Sequence, residues 1–358
     1  MGRFFLAIAF VVPLSLACSC SPGYILQAGW EEANILLNRE PIEKLIKSPE
    51  TKPELQQKLA LVVEARAFAA RAGLTPGESY TEYSEVSRDV LVWVLSGADK
   101  TSLTPVTWWF PIVGSVPYKG FFDKKDGLAE ARALSEDGFD IYLRPSAAFS
   151  TLGWFDDPLL STLIAFDDVS LVNTVIHEIL HNTVWVKDHA PFNETLANIV
   201  GMVGAIQFFT EREGNTSVRA QIARDRLHDE LMFARLLAEL EKKLKTLYES
   251  AEKQGDSQEQ ILHRREQLFS WAKEKWQADA PFRTTNLYEQ STERLNNAVV
   301  IANKIYLDRP WLFTELLAHC EQGLSCMVQE IQGLSSSGTV PDPYQALEQR
   351  LKALRQTA

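Results

Sequence analysis

The spacing of apolar residues along the chain predicts a mostly helical protein. Apolar side chains recur every three or four positions over residues 24–47, and again in the segment that begins at Pro53 and ends before Gly73. This period places them on one face of a helix, and proline is well tolerated in a first helical turn. A shorter helix is predicted over residues 128–134.

The pattern changes in the next part of the chain and predicts strands. Residues 103–110 read LTPVTWWF and are rich in β-branched and aromatic side chains, and residues 139–143 alternate between apolar and polar. Both features are typical of β-strands. Residues 90–95 form a further apolar segment.

Leucines at helical spacing amid many charged residues predict a long helix over residues 218–250. A turn signal at 254–257 and a second helix to about residue 278 complete an antiparallel helical hairpin. Its charges are those of a solvated face, with a partner-binding surface as the alternative. Residues 296–320 form a last helical region, broken at Pro310.

The N-terminus has the features of an export signal. Arg3 precedes an apolar run over residues 4–17 that is too short to span a bilayer comfortably. The run ends at small residues before two cysteines, which resembles the lipobox of bacterial lipoproteins. We expect acylation at Cys20, with Cys18 as the other frame and an ordinary cleaved signal as the alternative. Several acyl chains give stable attachment, so the resemblance implies an exported protein that is lipid-anchored to a bacterial membrane and faces the periplasm or the outer surface.

Composition narrows the class of protein. The 358 residues include 36 Lys and Arg against 47 Asp and Glu, and 46% are hydrophobic. These values are those of a globular protein and argue against a nucleic-acid-binding surface, which needs basic stripes. Outside the N-terminal pair, only Cys320 and Cys326 remain. They can form a disulfide in an oxidising compartment or stay as free thiols.

Residues 175–185 contain an H-E-x-x-H motif made by His177, Glu178 and His181. The two histidines are four residues apart, so both can reach one metal ion from the same helical face. Glu178 lies about 100° round the helix from His177, where it can take a proton from a water that the metal activates. The motif predicts a catalytic zinc site, and two ordinary helical histidines are the alternative.

A catalytic zinc site needs a third protein ligand, and two candidates follow the motif. His189 is separated from His181 by seven residues without a glycine turn. Glu194 stands at the start of an apolar helix predicted over 195–209, after Pro191. A helix–loop–helix would return Glu194 to the histidines, so Glu194 is favoured over His189.

The segment from Asn193 to Asn198, NETLAN, resembles the N-E-x-x-A-D motif of gluzincin metallopeptidases. In that motif the glutamate is a zinc ligand, and the acid four residues later hydrogen-bonds a ligating histidine. Asn198 stands where that acid is expected. Its amide oxygen can accept a histidine N–H, but it brings no charge that would raise the basicity of the ligand.

A wider resemblance covers most of the mature chain. Its further segments are CSPGY from Cys20, WWFP from Trp108, VPYKG from Val116 and STLGWF from Ser150. With the two metal-binding segments, they resemble a bacterial family of predicted zinc aminopeptidases, many of them lipoproteins. The resemblance implies Zn²⁺ as the cofactor and a peptide as the substrate.

Substrate-binding candidates lie upstream of the motif. In zincins, an edge strand before this helix pairs with the substrate, and residues 147–154 stand in that place, with Gly153 allowing close backbone approach. A simple edge of the core is the alternative. Asp156 and Asp157 can hold a substrate ammonium, or can form a turn before Pro158.

A phenol often stabilises the oxyanion in gluzincins. Tyr306 and Tyr118 are the candidates here, and packing tyrosines are the alternative for each.

These observations predict an α+β, zincin-like fold that is mostly α-helical, with a small mixed sheet and an inserted long helical hairpin. The predicted division of the chain is a signal peptide (1–19), a catalytic region (20–210), the hairpin (211–283) and a C-terminal helical region that completes the domain (284–358). The expected function is a zinc-dependent aminopeptidase with Glu178 as general base. The alternatives are a zinc endopeptidase, a non-catalytic lipoprotein scaffold and an adaptor built on the hairpin.

Overall fold

A computed structural model describes residues 35–110, 114–146, 158–279, 283–284, 294–335 and 342–357. The predicted signal peptide, with Cys18 and Cys20, lies outside these residues. The proposed edge strand over 147–154 and the substrate-binding candidates Gly153, Asp156 and Asp157 also lie outside them. The predictions for those positions therefore stay predictions.

Most of the described chain is helical, as the apolar spacing predicts. In chain order the helices are α1 (Ile42–Lys47), α2 (Pro53–Arg71), α3 (Lys124–Glu136), α4 (Ser161–Ile164), α5 (Asp168–His181), α6 (Ala190–Glu213), α7 (Val218–Gln254), α8 (Gln258–Asp279), α9 (Asn297–Leu307), α10 (Pro310–Ala318), α11 (Leu324–Ser335) and α12 (Pro343–Thr357). The break between α9 and α10 falls at Pro310, where it is expected. None of the helices in the described part of the chain has the length and apolar character needed to cross a bilayer.

The strands are short. They are β1 (Glu40–Pro41), β2 (Glu82–Ser84), β3 (Val92–Ala98), β4 (Trp108–Phe110), β5 (Gly114–Val116), β6 (Lys119–Phe121), β7 (Asp140–Ser146) and β8 (Leu159–Leu160). Instead of one mixed sheet, the described strands form three small sheets: a mixed sheet β1-β2-β8, an antiparallel sheet β6-β3-β7 and the β4–β5 hairpin. The general α+β class is confirmed, because a mostly helical chain carries small sheets.

Two predicted elements are shorter in the structure because of proline. The strand predicted over 103–110 is reduced to β4, since Pro105 has no N–H and makes only an isolated bridge to Ala98. The helix predicted over 24–47 is interrupted by β1 in its described part, because Pro41 is excluded from a helix interior. The chain pairs there with β2 and resumes as α1.

Helices α5 and α6 form the centre of the fold. Their facing sides are buried, and two glycines of α6 let the helices approach closely. A Cβ atom at Gly201 would lie 2.7 Å from the backbone oxygen of Asn173, and one at Gly204 would lie 2.8 Å from Ile176 Cδ1. Helix α6 begins at Ala190, five residues before its predicted start, because Pro191 occupies its first turn.

Helices α7 and α8 form the predicted hairpin. It packs on α9 through a second apolar core and meets the rest of the molecule at two further places. Near its base, Ala220 and Ala223 enter the same apolar core as α5 and α6. Arg226 pairs with Asp167, which caps the N-terminus of α5. We call this region, residues 218–230, the base of the hairpin.

The second contact joins α8 to the β6-β3-β7 sheet. Arg265 pairs with Asp140 of β7 at 2.9 Å, and both side chains are only 7% exposed. The Asn297 N–H, at the start of α9, donates to the same carboxylate at 2.9 Å. Burial raises the pKa of Asp140, although the Asn297 N–H and the Arg265 charge lower it in part. We call Asp140, Arg265 and Asn297 the sheet anchor.

Cys320 and Cys326 form a disulfide, with their Cα atoms 5.5 Å apart. It closes the turn between α10 and α11. The sequence left open whether these cysteines form a disulfide or stay as free thiols, and in the structure they form the disulfide.

Candidate metal centre

Helix α5 carries the H-E-x-x-H residues in its last two turns. Its N-terminus is fixed by Asp167, whose side chain accepts from the N–H groups of Val169 and Ser170. Hydrogen bonds with Ser170 and Arg226, together with the Arg226 charge, hold the pKa of Asp167 at about 2 against the opposing effect of burial. The helix ends at His181, so both histidines lie beside the loop that leads to α6.

Asn193 fixes the start of α6. Its side chain is buried and clamps Val186 from both sides: Nδ2 donates to the Val186 carbonyl at 2.8 Å, and Oδ1 accepts from the Val186 N–H at 2.9 Å. This double hydrogen bond closes the loop between α5 and α6. Glu194 is the next residue, so the clamp places its carboxylate beside α5.

His177, His181 and Glu194 come together at this point. His177 Nε2 lies 3.4 Å from Glu194 Oε2, and His181 Nε2 lies 3.6 Å from Glu194 Oε1. Ligand atoms of all three residues lie within 4.8 Å of one another, and within the described residues His189 is not part of this group.

These spacings fit a tetrahedral metal ion. Two nitrogen or oxygen ligands that each lie about 2.1 Å from a common ion are about 3.4 Å apart. The donor set of two imidazoles and one carboxylate is also one that zinc accepts while keeping a fourth position open. The residues at this site therefore fit the zinc ion that the sequence motif implies.

The two histidines differ in their electrostatic surroundings. Burial and the nearby His177 lower the pKa of His181 to about 4, against a smaller effect of Glu194. Burial also acts to lower the pKa of His177, but its hydrogen bond to Glu194 and the charges of Glu178, Glu194 and Glu230 outweigh burial and raise it. His177 is thus the histidine that the surrounding carboxylates support.

Glu194 is an ionised ligand candidate. Burial acts to raise its pKa, but the hydrogen bond to His177 and the charges of both histidines and Arg144 lower it below the usual range. Glu178 lies on α5 beside His177 and is half-buried. Its charge acts on His177, which places the candidate general base next to the ligand group.

Both tyrosine candidates lie near the metal-binding residues, together with Arg144, which sequence reasoning missed. Burial raises the pKa of Tyr306 to about 12, with Arg144 opposing and Glu194 adding to the effect. Burial and Glu194 also raise the pKa of Tyr118, although 40% of its surface is exposed. The Arg144 guanidinium lies 5.7 Å from the centre of the Tyr306 ring.

No local signal identifies Arg144 as a site residue. It lies on β7, and its position near Glu194 depends on the packing of that strand against α9 rather than on neighbours in sequence.

Trp185 is a second residue without a motif to mark it. Its side chain is 54% exposed, and its ring meets the His181 ring edge-on with centres 5.6 Å apart. An exposed indole in contact with a ligand candidate offers an apolar wall beside the site.

Asn198 lies four residues after Glu194, as the resemblance to the gluzincin motif requires. Its amide Nδ2 donates to Glu230 of the hairpin base and to the Tyr306 carbonyl at 3.5 Å. Glu230 is a buried carboxylate, 5% exposed, within a long charged helix. It is the third site residue that the sequence does not reveal.

Comparison with known proteins gives a family but no individual relative. No curated protein and no solved structure matches the chain. The profile of a family described as "Putative aminopeptidase" matches residues 23–342. This match includes the H-E-x-x-H helix, Glu194 and both tyrosines, and it covers most of the sequence. The chain therefore belongs to this aminopeptidase family.

Proposed function

We propose that the protein is a zinc-dependent aminopeptidase whose metal ligands are His177, His181 and Glu194. The observation that carries this proposal is the convergence of the three ligand atoms at 3.4 and 3.6 Å, with Glu178 on the same helix. The family supports peptidase activity. The fold that we propose for this arrangement is zincin-like.

A zinc ion at this site would polarise the substrate carbonyl and lower the pKa of a water molecule. Glu178 then accepts the proton of that water and returns it to the leaving amine, as a general base and then a general acid. Its half-buried position beside His177 suits this task, because it can reach the water without replacing a ligand.

Tyr306 donates a hydrogen bond to the oxyanion that develops during attack. With a pKa of about 12, its phenol keeps its proton at neutral pH and is a donor. Arg144 adds a positive charge beside it. Tyr118 is the alternative donor, more exposed and also protonated at neutral pH.

The substrate backbone binds by strand addition along β7 or along residues 147–154, which follow it in sequence. Strand β7 is at the edge of the described β6-β3-β7 sheet and carries Arg144, which lies near Glu194. A peptide that extends this sheet would therefore run toward the metal-binding residues. Its ammonium group is held by Asp156 or Asp157, and its first side chain packs on Trp185.

The metal assignment is tested by zinc content of purified variants. His181→Ala and Glu194→Ala should lose zinc, whereas His189→Ala, the matched control, should keep about one ion per chain. Glu178→Gln should keep zinc and fold but lose turnover by at least ~10²-fold, the size of a general acid–base contribution. Full zinc in Glu194→Ala, or full turnover in Glu178→Gln, would overturn the proposal.

The amino-terminal mode is tested with one peptide in free and acetylated forms. A charge-assisted hydrogen bond to the ammonium contributes roughly 1.5–3 kcal/mol, so Asp156→Asn or Asp157→Asn should lower kcat/KM about 10- to 150-fold on the free form only. Equal cleavage of both forms by the wild type would indicate an endopeptidase with the same zinc chemistry.

The anchoring proposal is independent of the catalytic one. We propose that Cys20 is acylated after export and holds the enzyme on the membrane surface. Mass spectrometry of the mature N-terminus should show a lipid-modified Cys20, and Cys20→Ala should release the protein while Cys18→Ala should not. An acylated Cys18 would identify the other frame.

A further inference from the structure

The contacts of Asn198 fix the orientation of its amide. Both hydrogen-bond partners of Nδ2, the Glu230 carboxylate and the Tyr306 carbonyl, are acceptors. They occupy the two N–H groups of the amide, which leaves Oδ1 as its acceptor. Glu230 therefore determines which end of the amide is available to the rest of the site.

Asn198 lies on the side of α6 that faces α5. It precedes Gly201 by three residues, and residues three apart are neighbours on a helical face. A Cβ atom at Gly201 would lie 3.2 Å from His177 Cβ, so this face of α6 meets α5 at His177. The amide is thus between the hairpin carboxylate and the helix of the metal ligands.

Glu230 reaches the site from the base of the hairpin. It lines a cavity of about 220 Å³ together with Asn173 of α5, Asn198 of α6 and Arg226 of α7. Although it belongs to a different helix from either histidine, its charge raises the pKa of His177. The carboxylate thus acts on one ligand candidate from the hairpin, and it is hydrogen-bonded to an amide on the face of α6 that meets α5 at His177.

We propose that Glu230 is a positioning residue that supplies, through the amide of Asn198, the negative charge that supports His177 as a metal ligand. Ligating histidines are held and made more basic by a carboxylate or carbonyl on their second nitrogen, and loss of such a partner weakens metal binding about 10- to 100-fold. The inference rests on the proposed function, and it assigns part of the metal centre to the hairpin. Asn198 alone is neutral, and Glu230 provides the charge that it lacks.

The test is the zinc dissociation constant of folded protein, measured by competition with a chelating indicator at fixed pH. Glu230→Gln keeps the shape of the side chain and removes its charge, so zinc affinity should fall about 10-fold or more. Asp229→Asn is the matched control. Asp229 is fully buried on the same turn and accepts from the N–H groups of Arg283 and Thr284, so its loss should lower the unfolding midpoint of metal-free protein without changing zinc affinity.

A double variant distinguishes charge from packing. Asn198→Asp with Glu230→Gln moves the carboxylate to position 198 and leaves an amide at 230 to donate to it, so zinc affinity should return to within about 3-fold of wild type. A folded Glu230→Gln protein with unchanged zinc affinity would overturn the inference alone. So would equal losses in Glu230→Gln and Asp229→Asn without rescue. A wild type that binds no zinc would overturn the proposed function, and the inference with it.

Discussion

Two buried carboxylates at contacts of the hairpin with the rest of the molecule differ in their partners. At the sheet anchor, Asp140 is neutralised by the guanidinium of Arg265 and receives the Asn297 N–H. At the hairpin base, Glu230 accepts from the neutral amide of Asn198, beside the metal-binding helices. The hairpin therefore meets the sheet through a buried ion pair. It meets the candidate metal centre through a carboxylate that accepts a hydrogen bond from an amide.

The difference indicates how the hairpin can both stabilise the fold and contribute charge to the metal centre. A buried ion pair between close partners fixes the relative position of two elements, and breaking it is costly. A carboxylate that reaches a ligand through an amide adds charge to a site while remaining outside the coordination sphere. We expect substitutions at the sheet anchor to change stability and substitutions around the metal-binding residues to change chemistry.

The largest effect should follow from removing Asp140. Asp140→Ala leaves the buried Arg265 guanidinium with only the exposed Glu266 carboxylate as an ion-pair partner, and loss of a buried partner typically costs about 3–5 kcal/mol. Urea unfolding should show this loss, while folded protein keeps its zinc. Replacing both partners, in Asp140→Leu with Arg265→Met, should recover most of the stability. If Asp140→Ala instead lost zinc with unchanged stability, the sheet anchor would not be independent of the metal centre.

The next effect should appear in turnover rather than stability. Tyr306→Phe removes the proposed oxyanion donor, and loss of one such donor lowers kcat about 10²-fold or more. Tyr118→Phe is the matched control and should retain most activity. Steady-state kinetics on one peptide, with zinc content measured in parallel, decides between the two phenols. A larger loss in Tyr118→Phe would transfer the role to Tyr118.

A smaller effect concerns acid stability at the hairpin base. The folded pKa of Asp167 is depressed to about 2 from its ordinary value of 3.8, so its stabilising contribution is present above pH 3.8 and is lost as the pH falls toward about 2. Because its side chain is 52% exposed, solvent screens the interaction and we expect about 1 kcal/mol. Asp167→Asn should lower the free energy of unfolding at pH 7 by this amount and should show no such difference at pH 2. A constant difference at both pH values would contradict the assignment.

The smallest effect should come from the outer surface of the hairpin. The Trp271 ring lies 4.6 Å from Lys243 Nζ and 5.9 Å from Lys275 Nζ, and exposed contacts of this kind contribute about 0.5–1 kcal/mol. Trp271→Leu should therefore reduce stability slightly and leave zinc affinity and turnover unchanged. A clear loss of activity would mean that this surface also belongs to the functional part of the molecule.

The parts of the site that sequence could predict are those with local spacing. His177 and His181 are one helical turn apart, so their common direction follows from the helix itself. Glu194 required one further step, a loop closed by Asn193, and the structure brings Glu194 rather than His189 to the histidines. The helical segments were predictable for the same reason, because their apolar period extends over many residues.

The remaining site residues depend on contacts between distant segments. Glu230 is one of many acidic residues on a charged helix, and only the packing of α7 against α6 distinguishes it. Arg144 likewise reaches the site from a strand whose neighbours are set by sheet pairing. The division into three small sheets was also beyond the sequence pattern, since several strands have only two or three residues.

Helix α9 runs from the sheet anchor to the candidate metal centre. It begins at Asn297 of the sheet anchor and ends one residue after Tyr306, and its 11 residues span about 16 Å. The phenol and the sheet are thus held at a fixed distance by one continuous helix. A single residue inserted into α9 would rotate Tyr306 by about 100° about the helix axis. The length of α9 therefore sets the distance between the strand that would hold the peptide and the phenol that would contact the peptide carbonyl.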